Sequence, residues 1–213
     1  MRRLLCILAL ALPLPADVLY SSGPANTNQF DITYNRLADD FTLSAFCTLN
    51  SFTFWYTAQY GTDLSEVTWA IYQDNSGALG TQLATATNAT ADGSDVNAFT
   101  AQVTGLNVAL GPGIYWLELH AGSSLTDTNN SLAIQWAAVD GTPSYIALYN
   151  AATLPDTPVN TPGYDQYAFQ LDGVNVPEPS ALLTGGAAIL ILFRFRGKRP
   201  VMATIGGVFP ACK

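Results

Sequence analysis

Basic residues are almost missing from the body of this chain. Between Asp17 and Val176 there is no lysine, and Arg36 is the single arginine against fifteen acidic residues, a net of fourteen negative charges. Such a stretch repels phosphate backbones, which excludes nucleic acid as a partner. Histidine is as scarce. His120 is the only one in 213 residues, so a nucleophile–histidine pair has one candidate base, and no serine sits in a GxSxG elbow. Of three cysteines only Cys47 lies in the body, which rules out a disulfide within it and any zinc site of the usual ligand spacing. It reads as a small buried hydrophobe, with a reactive thiol or an intermolecular bridge as the alternative. Charged residues make up only 11% of the chain, yet hydrophobic residues reach 49% and aromatics 11%. That much apolar surface orders a chain rather than leaving it unfolded.

The seven remaining bases stand at the two ends. The N-terminus, MRRLLCILALALPLPADV, places Arg2 and Arg3 before a short apolar run from Leu4 to Leu12. Pro13 and Pro15 then break any helix ahead of the small Ala16. Residues 1–16 therefore read as a secretory signal peptide cut after Ala16. Near the other end, VPEPSALLTGGAAILILFRFRGKRP joins Pro177, Glu178 and Pro179 to an apolar run and then to Arg194, Arg196, Lys198 and Arg199. The prolines hold the motif extended, since neither supplies an N–H and each restricts its predecessor. The apolar run is a transmembrane helix candidate, and the bases stop transfer on its cytoplasmic side. From Ser180 to Phe195 there are 16 residues, roughly 24 Å of helix. A hydrocarbon core of about 30 Å then demands snorkelling arginines or a thinned bilayer.

This tripartite tail resembles the PEP-CTERM sorting signal of exported proteins in Gram-negative bacteria. The resemblance implies an exosortase-like membrane protease that reads Pro177-Glu178-Pro179, removes the helix, and releases or attaches the protein at the cell surface. It implies anchorage in the inner membrane through the C-terminal helix, transient or permanent. One departure is visible: members of that family stop after the basic cluster, whereas here 14 further residues follow, Pro200 to Lys213. Four regions result: a signal peptide (1–16), an extracellular domain (17–175), a sorting and anchor segment (176–199) and an extra tail (200–213).

The domain between the addresses shows short apolar runs separated by turn residues, with no sustained helical period. The candidate strands are DDFTLSAF, SFTFWYTA, EVTWAIYQD, TQLATATN, AFTAQVTG, GIYWLELH, LAIQWAAV, SYIALYN and YAFQLDG. Asp74-Asn75-Ser76-Gly77, Asp92-Gly93, Gly111-Pro112-Gly113 and Asp140-Gly141 punctuate them as turns,. The piece from Leu154 to Gly163 reads as a long loop. The expected fold is all-β, an antiparallel β-sandwich of jelly-roll-like form. Alternation assigns Phe52, Phe54 and Tyr56, then Val67, Trp69 and Ile71, then Tyr115, Leu117 and Leu119, to one face each. These faces are the expected core. The phrases ADDFTL, FTFWY, TWAIYQDNSGALG, GPGIYWLEL and VPEPS also resemble the choice-of-anchor surface domains, bacterial β-rich extracellular modules to which no activity is attached.

Two function classes follow. One is a non-catalytic exported surface or extracellular-matrix protein delivered by its sorting tail. The other is a carbohydrate-binding module holding extracellular polysaccharide on a solvent-facing ligand face of Trp116, Glu118 and His120, an analogy from fold. No catalytic residue is assigned. Carboxylates that a glycosidase would need in opposed pairs are scattered among Asp63, Glu66, Asp74, Asp92, Asp95, Glu118, Asp127 and Asp140, most of them turn residues. No metal or cofactor is expected, with calcium at Asp74-Asn75 or at Asp92 to Asp95 as the alternative to plain solvated turns.

Overall fold

The computed structural model describes residues 16–58, 64–94, 98–127, 134–143, 147–150 and 165–176. The chain divides into two units, Met1–Val176 and Pro177–Lys213. The described residues all lie in the first. The signal peptide, the sorting motif, its helix, the basic cluster, the tail and the Leu154–Gly163 loop fall outside them.

Every regular element among the described residues is a β-strand. In chain order they are β1 (Asp17–Ser21), β2 (Gln29–Asp31), β3 (Asn35–Leu43), β4 (Cys47–Ala58), β5 (Glu66–Asp74), β6 (Leu79–Ala89) and β7 (Ala91–Ser94). Then come β8 (Phe99–Leu110), β9 (Gly113–Ala121), β10 (Ile134–Pro143), β11 (Ala147–Asn150), β12 (Asp165–Tyr167) and β13 (Phe169–Asn175). No described helix is long and apolar enough to cross a membrane. All pairings are antiparallel. One sheet orders β11-β3-β9-β5-β6; the other runs β1-β13-β4-β10-β12, with β2 on β10 and β7-β8 on β4.

The nine expected strands all fall on observed ones. Two expected turns do not stand: Asp92-Gly93 lies inside β7 and Asp140-Gly141 inside β10. In the first case Gly93 pairs with Thr100 in an antiparallel ladder, so cross-strand hydrogen bonding overrides the local turn preference. Asp74 to Gly77 does turn. Asn75 N–H donates to Ala78 O at 2.9 Å, Gly77 N–H donates to Asp74 Oδ1 at 3.0 Å, and Gly77 takes φ +84°.

The core forms where alternation places it. Phe52, Phe54 and Tyr56 of β4, Val67, Trp69 and Ile71 of β5, and Tyr115, Leu117 and Leu119 of β9 are all buried in one cluster. Aromatic contacts join the sheets: Phe52 meets Trp69 edge-on at 5.9 Å, and Phe41 meets Phe169 at 6.2 Å. Gly173 is required by close approach, since a Cβ there would collide with the Thr48 carbonyl oxygen where the β13–β4 register shifts. Gly105, at φ +79°, sits where the register of β4 and β8 shifts, a conformation that costs other residues more.

Candidate functional site

The face of β9 opposite the core carries Trp116, Glu118 and His120, and β9 is the middle strand of its sheet. Trp116 lies between Asp40 and Tyr72, Glu118 between Ala38 and Ala70, and Leu119 between Leu37 and Trp69. The two alanines leave room over the strand beside Glu118. Two long side chains reach that carboxylate: Arg36 Nε stands 3.5 Å from Oε1, and the Tyr72 hydroxyl donates to Oε2 at 2.7 Å. Trp116 Nε1–H donates to Asp74 Oδ1 at 2.9 Å. His120 bridges two segments, with Nδ1 3.1 Å from Asn35 O and Nε2 2.7 Å from Asp127 O.

This arrangement corrects the expectation of a solvent-facing ligand platform. Trp116 is 1% exposed, and Glu118 and His120 are 0% exposed. Alternation put the three on a common face, as found, but that face is covered. The polar atoms that would greet a sugar are turned to protein partners instead. His120 in particular ties the start of β3 to the loop after β9. That loop is held further by Thr68 Oγ1–H donating to Gly122 O at 2.6 Å and Thr87 Oγ1–H donating to Ser123 O at 3.0 Å.

The lone base of the domain thus stands against a fully buried acid. A carboxylate removed from water needs such compensation, because desolvation costs several kcal/mol per ion. Nothing in the sequence pattern singled out Arg36 as the partner of Glu118. Its isolation among fifteen acids was the available signal. Asp39 was missed as well. It alternates onto the core face, is 0% exposed, and its Oδ2 accepts the Tyr167 backbone N–H at 2.7 Å. One carboxylate therefore bridges the two sheets. Tyr20, packed nearby, has its hydroxyl pushed far above the ordinary range by burial, with the charges of Asp39 and Asp40 adding to it.

Beside Trp116 the surface opens into a groove of about 570 Å³ lined by Gln73, Asp74, Asn75, Leu79, Gly80 and Thr81. Asp74 is the groove's carboxylate, and its Oδ1 already accepts from Gly77 and Trp116. Among the described residues no three His, Cys, Asp or Glu side chains gather as a metal-binding group. The side chains of Asp63, Asp92, Asp95 and Asp140 lie outside those described. Cys47 is buried at 3% exposure, and burial pushes its thiol up, away from the reactive thiolate,.

Asp40 has a carboxyl raised above the usual carboxylate range, first by burial and then by the charge of Asp74. Between the unfolded value of 3.8 and the raised folded value, the native state binds more protons than the unfolded one. Stability contributed by this group is therefore full below the unfolded value and falls as pH rises through the folded one. The Asp40→Asn variant is expected to melt higher than the parent at neutral pH, with the difference vanishing near pH 3. A pH series of thermal melts checks it; a constant difference across the series would refute the ionisation account.

Comparison with models of known protein families gives no match, and no curated protein matches the chain.

Proposed function

We propose that this chain is a non-catalytic exported surface or extracellular-matrix protein, delivered by a PEP-CTERM-type signal that an exosortase-like protease reads. The body would be a β-sandwich of jelly-roll-like form. Its strands pass repeatedly between the two sheets (β3 to β4, β4 to β5, β8 to β9, β9 to β10), which favours that architecture.

One observation supports the reading: the described strands all lie between the two expected addresses in sequence, from Asp17 to Asn175. β1 starts at Asp17, the residue after the expected cleavage site, and pairs with β13. β13 ends at Asn175, and Val176 N–H donates to Phe46 O at 2.7 Å as the last described contact of the main chain. Pro177 follows at once. A protease needs its recognition segment outside the hydrogen-bonded ladder, and here the motif follows directly on Val176, the last residue with a described main-chain hydrogen bond. Cleavage at either address would leave every described strand intact.

The test is made in a host that carries an exosortase. Glu178→Ala removes the one charge of the motif, and the expected result is unprocessed, membrane-embedded protein on immunoblots of cell fractions. N-terminal sequencing of surface material from the parent should begin at Asp17. Should the Glu178→Ala protein be trimmed and displayed like the parent, the sorting reading fails and the segment is a permanent anchor.

A further inference from the structure

Among the described residues, the strand β6 ends its sheet with a long flank that no other strand pairs. In the order β11-β3-β9-β5-β6 it has a neighbour on one side only. Its pairing with β5 is regular from Ala84 to Ala89, the register shifts being confined to the segment before Ala84. Thr85, Ala86, Thr87 and Ala89 are exposed. Sheet edges carry a row of free N–H and C=O groups, and proteins blunt them with lysine, proline, bulges or brevity. The other edges follow that rule. β11 is four residues long, and β1 has a register shift and an exposed Asp17. The segment Ala84–Ala89, ATATNA, contains no charge, no proline and no bulge.

We propose that β6 is a pairing surface for a second copy of this chain, joined antiparallel about a two-fold axis at Ala86. The axis choice follows from the pleat. Opposed residues in a ladder share a face, so a symmetric pair must be centred on a residue rather than between two. Centring on Ala86 sets Thr85 opposite the second copy's Thr87, two β-branched residues suited to a strand pair whose hydroxyls already donate to Trp69 O and Ser123 O,. Ala84 then opposes Asn88, and Ala86 opposes its own equivalent, small enough for close approach. The two five-stranded sheets become one of ten strands.

Charge argues for a second copy at this strip. The stretch from Asp17 to Val176 carries fourteen net negative charges, so two copies repel over much of their surfaces. Among the described residues the acids nearest to β6 are Glu66 and Asp74 on β5 and, beyond β9, Asp127, whose Oδ2 accepts from Ser123, the residue whose carbonyl accepts from Thr87. Across a paired edge the β5 strands of the two copies would be three strand spacings apart, about 14 Å. That exceeds the Debye length of about 8 Å at physiological salt. An uncharged strand is where like-charged copies can meet, and the symmetric interface is the commonest kind in soluble oligomers.

The full chain, purified in mild detergent, is followed by sedimentation velocity from micromolar to near-millimolar concentration. The expected result is a monomer–dimer equilibrium. Ala86→Lys puts two like charges face to face at the axis and should weaken association about tenfold or more. Thr42→Lys adds the same charge at an exposed position on β3 and should leave association unchanged. Ala86→Cys, with Cys6→Ser and Cys212→Ser, should form a disulfide-linked dimer on mild oxidation, since directly opposed strand residues lie within disulfide reach. Three outcomes overturn the proposal: a monomer throughout the range, an Ala86→Lys protein that associates as tightly as its parent, or a dimer that Ala86→Cys cannot cross-link. A monomer whose β6 amides gain exchange protection only in the host's culture fluid would also overturn it, assigning the edge to a foreign extended segment.

Discussion

Arg36→Met is expected to destabilise the folded domain by about 3–5 kcal/mol, the usual cost of breaking a buried ion pair from one side. The reason lies in what remains. Glu118 is 0% exposed, and with the guanidinium gone the carboxylate stays in a place built for its charge. Tyr72 still donates one hydrogen bond, but a single neutral donor does not replace water. Methionine keeps most of the apolar stem of arginine, so the loss reports charge rather than packing. Chemical denaturation of the parent, Arg36→Met, Glu118→Gln and the double variant separates the terms. The double variant should recover much of the loss, because replacing both ions removes the stranded charge. Full stability in Arg36→Met alone would mean that Glu118 has no need of its partner. Against a typical total of about 5–15 kcal/mol, the expected loss is large enough to read without ambiguity.

That ion pair also marks where the sequence stopped being informative. Period-2 alternation along GIYWLELH separated Tyr115, Leu117 and Leu119 from Trp116, Glu118 and His120 correctly, because side-chain direction in a strand is a local property. Whether the second face meets solvent is a tertiary property, and three polar-tipped residues in alternation gave the appearance of an outside face. In β9 nearly every residue is buried on both sides, since it is the middle strand with Arg36 and Tyr72 reaching over it from its neighbours. Two of the three unexpected strands, β2 and β7, have a different cause. QFD in β2 and ADGS in β7 are three and four residues long, too short for a pattern, and exist only because β10 and β8 offer them an edge. Asp39 escaped notice because acids are expected at strand ends and surfaces. Its burial makes sense only once Tyr167, 128 residues away in sequence, presents a backbone N–H to it.

The second large effect is expected at Trp69. Trp69→Ala should cost about 3–5 kcal/mol, the range for deleting a core indole. The ring is 4% exposed, meets Phe52 of the opposite sheet edge-on at 5.9 Å, and its Nε1–H donates to Asn88 Oδ1 at 2.8 Å. Removing it opens a void between the sheets and strips the β6 asparagine of that donor, so the transfer loss and the cavity term act together. Trp55 supplies the control. It occupies β4 between the core residues Phe54 and Tyr56, on the opposite face, and is only half-buried. Trp55→Ala should therefore cost about 1–2 kcal/mol, in proportion to the apolar area it covers. Trp69→Phe should fall between the two alanine variants, since phenylalanine refills most of the space without the N–H. Equilibrium denaturation of the three proteins orders them. If Trp55→Ala proved as damaging as Trp69→Ala, the assignment of faces along β4 and β5 would be wrong, and with it the alternation on which the whole two-sheet core is built.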